Sequence, residues 1–208
     1  SALGTRARGR DLDCDRLRDA LGGTNGPLPD IAGAMPPHPL GPHRIGGECI
    51  LGLSPVYGQT AADRLAALAA GLADLGAREF RLAHHRSLLV RGLRGNRLGA
   101  AQDLARRQGF WSEADAPGRS VSACAGAAGC RSGTFDTHAA ADALAALAPD
   151  LLDGSLDVHV SGCPKGCAHP APAAVTLCGT ASGVAFVVDG RAGDPAGAIV
   201  PAAGLEAA

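Results

Sequence analysis

The chain has 208 residues, and its 19 basic and 20 acidic side chains leave a net charge of -1. With this charge and only 3% aromatic residues, it lacks the positive field and the base-stacking surfaces of nucleic-acid-binding proteins. No apolar run reaches the roughly 18 to 20 residues that span a bilayer, and the charged first residues do not resemble a secretory signal. We therefore expect a cytoplasmic protein with no nucleic-acid or membrane partner.

The residue pattern in the first half of the chain predicts an arm followed by a ferredoxin-like unit. Residues 1–45 are rich in Pro and Gly, which favours an arm or linker with one short helix at 13–21. Residues 46–115 predict the order β-α-β-β-α. The predicted elements are a strand at 48–54, a helix from an N-cap at Thr60 to a stop at Gly76, strands at 78–83 and 87–93, and a helix at 98–108.

The residue pattern in the second half predicts a mixed α/β domain over residues 116–193, followed by a weakly patterned tail at 194–208. Its helix is expected at 137–152, with Asp136 as the N-cap and Leu144, Leu147 and Leu151 on one face. Strands are expected at 156–161 and in the runs AVTLC and VAFVV. The fold class is therefore α+β.

Four of the seven cysteines form two pairs, and they carry the strongest signal in the sequence. Cys124 and Cys130 have five residues between them, Cys163 and Cys167 have three, and 32 residues separate the pairs. Each pair follows a predicted strand, so two loops can converge on one centre. The spacer AGAAG has almost no side-chain bulk, which lets backbone N–H groups approach inorganic sulfide. The pattern indicates an iron-sulfur cluster, and Lys165 would lower the thiol pKa values and offset the cluster's negative charge.

Two alternatives remain for the cysteines. Four thiolates also make a zinc site, although structural zinc sites usually have two to four residues inside each pair. Unligated buried cysteine is the other alternative, and it is the preferred interpretation for Cys14, Cys49 and Cys178. Cys178 ends a predicted strand, so it can still lie near the metal site.

The two pairs resemble the cluster signature of sulfite and nitrite reductase haemoproteins, which hold a [4Fe-4S] cluster. In that family the cysteine matching Cys167 also bridges the cluster to sirohaem iron. Within it, the string LDVHVSGCPKGCAHPAPAAVTLCG at 156–179 is most similar to the precorrin-3B synthases. FRLAHHRSLLVRGL at 80–93 resembles their second ferredoxin-like repeat, in which the residue matching Arg86 faces the tetrapyrrole.

This resemblance implies an oxygenase of cobalamin biosynthesis that converts precorrin-3A to precorrin-3B with O2 and electrons from NADH. The implied cofactors are a [4Fe-4S] cluster and a non-haem iron rather than sirohaem. The resemblance covers about residues 37–190, which is the second of two pseudo-symmetric halves. We therefore expect a fragment, or a split protein that needs an N-terminal half or a second subunit.

Arg86, Lys165 and His169 are the candidate substrate-binding residues, and no catalytic residue is singled out. Guanidinium groups bind the carboxylate arms of a precorrin in a bidentate manner, and an imidazole can bind iron or relay a proton. His159, on the strand before Cys163, is a weaker candidate, and His84 and His85 are expected in a surface turn. The alternative functions are a sirohaem-dependent sulfite or nitrite reductase, against which the single lysine counts, and a non-catalytic iron-sulfur electron-transfer subunit.

Overall fold

The structure is a computed structural model that describes residues 13–24, 26 and 39–202. The chain divides into two units, 1–37 and 38–208. In the first unit, helix α1 spans Cys14–Leu21, where the predicted short helix lies. The Asp13 carboxylate accepts hydrogen bonds from the N–H groups of Asp15 and Arg16, and Gly22 ends the helix in the left-handed conformation. Most of the predicted arm lies outside the described residues.

The second unit begins with an antiparallel sheet. Its strands are β1 (Gly41–Ile45), β2 (Glu48–Pro55), β3 (Glu79–Ala83), β4 (Ser87–Arg91) and β5 (Phe110–Trp111). The spatial order is β1-β2-β4-β3, and β5 pairs with the end of β2. Strand β1 occupies the last residues of the segment predicted as an arm. Pro42 is tolerated there because β1 lies at an edge of the sheet.

Helices α2 (Ala62–Asp74) and α3 (Leu98–Arg107) complete the predicted β-α-β-β-α order. Their apolar residues and those of the sheet form one core. This core consists of Leu51, Leu53, Leu68, Leu72, Val90, Leu93, Ala101, Ala105 and Phe110. The prediction of Thr60 as N-cap is wrong, because Ala61 holds the cap position and the Thr60 hydroxyl donates to the carbonyl of Ala61 instead.

The second sheet has mixed strand directions. It contains β6 (Val121–Ala123), β7 (Val158–Ser161), β8 (Ala173–Thr180), β9 (Gly183–Gly190) and β10 (Ala198–Val200) in the order β10-β9-β8-β7-β6. Strands β6, β7 and β8 are parallel, whereas β8, β9 and β10 are antiparallel. The segment predicted as a tail therefore contains a strand, and its last residues, 203–208, lie outside the described part of the chain.

Between β6 and β7 lie the single turn α4 (Gly126–Gly129) and helix α5 (Thr137–Leu147). The predicted cap is confirmed, since the Asp136 carboxylate accepts from the N–H groups of His138 and Ala139. The predicted apolar face is wrong, because α5 ends at Leu147 and a 3-10 turn begins at Pro149. Leu147 is exposed at the last position of α5, Leu151 is exposed in the 3-10 turn, and of the three leucines only Leu144 packs against the core. None of the helices in the described residues is long and apolar enough to cross a membrane.

Tyr57 joins the first sheet to the core of the second. It follows β2 in the left-handed conformation, with φ +53°, and Gly58 continues the turn with φ +76°. Its ring is buried in the apolar cluster of the second sheet, and its hydroxyl donates to Asp142 of α5 at 2.7 Å. The turn after β2 therefore lies beside the loops that leave β6 and β7.

Candidate functional site

The parallel pairing of β6 and β7 brings the two cysteine pairs to one edge of the second sheet. Ala123 pairs with Val160, so Cys124 and Cys163 follow neighbouring strand ends. The N–H of Cys124 donates to the Val160 carbonyl at 3.1 Å. The N–H groups of Gly162 and Gly126 point at the Cys124 sulfur, at 3.2 and 3.4 Å. Such N–H groups stabilise a thiolate, the form in which cysteine binds metal.

Glycines allow these loops to touch through their backbones. A Cβ atom on Gly162 would lie 3.1 Å from the Cα atoms of both Gly126 and Gly133, which is closer than most real contacts of a Cβ atom. A Cβ on Gly179 would overlap the Gly162 carbonyl and the Thr134 hydroxyl. A larger residue at Gly179 would push the two backbones apart, so these glycines keep the N–H groups close to the Cys124 sulfur.

Cys130 lies in an electropositive setting. Its pKa is held below the usual range, chiefly by the N–H of Ser132 and also by that of Gly133 and by the charge of Lys165. The Lys165 ammonium donates to the Ser132 hydroxyl at 2.9 Å, which connects the second cysteine loop to the first. The expected effect of Lys165 on a thiol pKa is thus present at Cys130.

Two predicted cluster ligands and one arginine line the same cavity. Cys167, Cys124 and Arg86 surround a space of about 260 Å³, together with Tyr57 and Gly58.

Arg86 lies with His84 and His85 in the turn between β3 and β4, so the predicted surface turn is confirmed. Arg86 adopts a φ of +56°, and its side chain packs so closely on Gly58 that a Cβ there would overlap it. It also lines an adjoining cavity of about 430 Å³ with Arg119. Two arginines therefore face an opening next to the cysteine loops.

The structure places the two candidate histidines beneath the second cysteine loop, outside this cavity. His169 is half-buried, and its Nε2 lies 3.4 Å from the Pro172 carbonyl oxygen. The ring of His159 lies 5.7 Å from that of His169, centroid to centroid, and is fully buried. Burial, and then the charge of His169, lower the pKa of His159 to about 4.

Cys178 is fully buried on β8 beneath the same loops. Burial raises the pKa of its thiol, and so does the proximity of Cys163 and Cys124. It therefore lies near the site, as its position at the end of a strand allows. A thiol with a raised pKa remains protonated and behaves as a small apolar side chain, in keeping with the interpretation of Cys178 as unligated.

Sequence reasoning missed a polar group beside the first cysteine loop. Tyr57, His138 and Asp142 line a cavity of about 650 Å³ together with Ala125, Ala128 and Gly129 of the C-x5-C spacer. Burial and the hydrogen bond to Asp142 raise the pKa of Tyr57, so the phenol stays protonated. The one sequence signal is that Tyr57 is the single tyrosine of the chain and precedes a glycine.

The chemistry of the site fits an iron-sulfur cluster. The donors are thiols, N–H groups point at the Cys124 sulfur, and glycines lie where the two loops touch. Within residues 13–24, 26 and 39–202, no three His, Cys, Asp or Glu side chains are gathered closely enough to hold a metal ion. An iron-sulfur cube holds its thiolates further apart than a single ion does, so the assignment of the four cysteines as ligands stays a prediction.

Comparisons with known proteins agree with the sequence motifs. No family model matches the chain. The chain is 39% identical over 196 residues to a protein from a Sinorhizobium species named precorrin-3B synthase. That match covers 92% of this chain and 42% of the relative, so the chain spans less than half the length of the relative.

Among solved structures, the NirA protein of Mycobacterium tuberculosis matches with a TM-score of 0.66. The match covers 92% of this chain and 40% of NirA at 21% identity, which supports a shared fold of the sulfite and nitrite reductase type. The resemblance that the cysteine motifs indicate is thereby confirmed: along nearly its whole length, the chain is related to part of a precorrin-3B synthase.

Proposed function

We propose that this chain is the cluster-binding part of a precorrin-3B synthase-like oxygenase, with Cys124, Cys130, Cys163 and Cys167 as ligands of a [4Fe-4S] cluster. The observation that carries the proposal is the pairing of β6 with β7, which places one cysteine of each pair at the same sheet edge. The similarity to a precorrin-3B synthase gives the substrate class. The cluster, when bound, would supply electrons one at a time.

The residues around the 260 Å³ cavity have the chemistry to bind an anionic tetrapyrrole. Arg86 presents a guanidinium group beside Cys124 and Cys167, and Arg119 faces the adjoining cavity. Guanidinium groups bind carboxylates in a bidentate manner, and precorrins carry several acetate and propionate arms. Arg86 would fix one arm and so orient the ring. Lys165 would offset the negative charge of the thiolates. His169 would lie on the far side of the C-x3-C loop from this cavity.

The proposed reaction converts precorrin-3A to precorrin-3B. One atom of O2 enters the product, the other leaves as water, and NADH supplies two electrons through a separate donor. The non-haem iron and the part of the enzyme that closes over the tetrapyrrole belong to this proposal. Because the chain spans 42% of its relative, we propose that activity requires an N-terminal half or a second subunit.

Absorbance spectra of protein purified without oxygen, before and after dithionite, test the proposal. We expect a broad brown shoulder that bleaches on reduction, without tetrapyrrole bands. Replacing any of Cys124, Cys130, Cys163 or Cys167 with Ala should abolish it, whereas Cys14→Ala in α1 and Cys49→Ala in β2 serve as matched controls and should retain it. A brown shoulder that is retained in each of the four single variants contradicts the assignment. A colourless wild-type chain that binds zinc supports the zinc alternative.

A second candidate is a non-catalytic iron-sulfur electron-transfer subunit, because the two cysteine loops at one sheet edge would serve it equally well. Such a subunit would bind the cluster but no tetrapyrrole in the absence of a partner. A sirohaem-dependent reductase would instead show sharp tetrapyrrole bands in the same spectrum. The spectrum therefore separates the reductase from the other two functions, and binding of a precorrin separates those two.

A further inference from the structure

His159 is a buried polar side chain that has no evident structural task. It lies in the middle of β7 and is fully buried. Alternation along the strand places its side chain on the same face as that of Ser161, whose hydroxyl donates to the Cys163 carbonyl at 2.8 Å. This face therefore supports the C-x3-C loop.

The polar edge of the His159 ring faces this loop. A Cβ atom on Gly166, the residue before Cys167, would lie 3.6 Å from Cε1 of His159. Cε1 is the carbon between the two ring nitrogens, so both nitrogens flank the point of closest approach. Among the described residues, neither nitrogen has a hydrogen-bond partner. Buried polar groups nearly always have partners, so this pair of orphaned nitrogens requires an explanation.

The protonation state of His159 determines what the ring can do. Its pKa lies near 4, so the ring is neutral at physiological pH. A neutral imidazole carries one N–H donor and one acceptor nitrogen. The acceptors expected at this place are sulfur atoms, because the ring lies against the C-x3-C loop at Gly166, and this loop begins and ends with the predicted cluster ligands Cys163 and Cys167.

We propose that His159 donates a hydrogen bond to a sulfur of the C-x3-C loop in the cluster-loaded protein, either a cysteine thiolate or a cluster sulfide, and thereby raises the cluster's reduction potential. This inference rests on the proposed cluster site. Reduction adds negative charge to the cluster, and an N–H directed at sulfur stabilises that charge. His159 is thus a positioning residue that acts on the cluster and does not touch the substrate.

The test is the midpoint potential of the cluster in the full chain, followed by electron paramagnetic resonance during a redox titration. His159→Phe and His159→Leu remove the donor with ring-shaped and smaller apolar side chains, and His159→Gln retains an N–H. We expect the two apolar variants to shift the potential downward and His159→Gln to stay closer to wild type. His43→Phe, on β1 of the other sheet, is the matched control and should leave the potential unchanged.

Each outcome separates this inference from the proposed function. If the apolar variants bind the cluster with the wild-type potential, the inference is wrong and the cluster site stands. If the wild-type chain holds no cluster, both fail. Loss of the cluster from the two apolar variants alone, with an unchanged circular dichroism spectrum, also supports the role of His159. Phe and Leu differ in size, so a folding defect that one of them causes at position 159 should not recur with the other.

Discussion

At the scale of single residues, the glycines between the cysteine loops are the most sensitive positions. A methyl group on Gly179 would overlap the Gly162 carbonyl, which is backbone and cannot move aside cheaply. Gly99 in α3 has open space at the same position and a helical backbone. We expect Gly179→Ala to unfold the chain at lower urea concentration, and Gly99→Ala to stabilise it by up to about 1 kcal/mol. Equal unfolding midpoints in the two variants would contradict this account.

The buried His159 predicts a pH dependence. Its folded pKa is about 4, below the ordinary value of 6.5, so the unfolded chain binds more protons between these pH values. As pH falls from 6.5 to 4, this residue should therefore remove at most about 3 kcal/mol from the free energy of unfolding. His169 is the titratable side chain in ring contact with it.

Urea unfolding of wild type and His159→Leu at a series of pH values measures this contribution as a difference. The leucine variant should lose less stability below pH 6.5, and the two curves should run parallel above pH 7. Parallel curves over the whole range would show that His159 is not buried as a neutral ring.

Residue types in the sequence predicted part of the site. The cysteine spacing and the small spacer residues follow from local chemistry, and they indicated both loops. The contact of Gly162 with Gly126 and Gly133 depends on how two distant segments pair, so no local pattern reveals it. Tyr57 was missed for the same reason, because its partner Asp142 is 85 residues away.

At the scale of elements, caps distinguish the two main helices of the second unit. Asp136 caps α5 through its side chain, whereas the cap position of α2 has no side-chain hydrogen bond. We expect Asp136→Ala to cost about 1 kcal/mol of stability. Thr60→Ala should change stability by less than about 0.5 kcal/mol, as for an ordinary surface position.

Thermal unfolding of both variants, followed by circular dichroism, provides the comparison. A larger loss in Thr60→Ala than in Asp136→Ala would overturn the assignment of the caps.

Periodicity predicted where helices and strands lie, and turn chemistry decided where they end. Leu65, Leu68, Leu72 and Leu75 recur at helical spacing and correctly indicated α2. Leu151 also matched a helical spacing, but Pro149 starts a new turn and leaves Leu151 exposed. The proline and glycine of β1 are typical of loops and favour an arm, but the pairing of β1 with β2 overrides that preference.

At the scale of the whole molecule, Tyr57 connects the first sheet to α5. Its hydroxyl donates to Asp142, and its ring meets Trp111 edge-on at 5.4 Å between centroids. Tyr57→Phe keeps the ring and removes the hydrogen bond, so we expect a loss of about 1 kcal/mol in the free energy of unfolding. Fluorescence of Trp111, the single tryptophan, reports the transition during urea unfolding.

A matched variant tests whether the Tyr57 bond itself is the cause. Asp142→Asn keeps an acceptor oxygen and should lose less stability than Tyr57→Phe. Wild-type stability in Tyr57→Phe would mean that the buried ring alone holds this junction.

The pairing of β6 with β7 also bears on the order in which the proposed cluster would assemble. In an unfolded chain, a cluster bound by both pairs would have to close a loop of 38 residues between Cys124 and Cys163, which costs about 3 kcal/mol in chain entropy beyond a constant. The crossover through α5 closes that loop when the sheet forms. Iron and sulfide would therefore meet two loops that the folded sheet already holds together, so that folding of the polypeptide would precede insertion of the cluster.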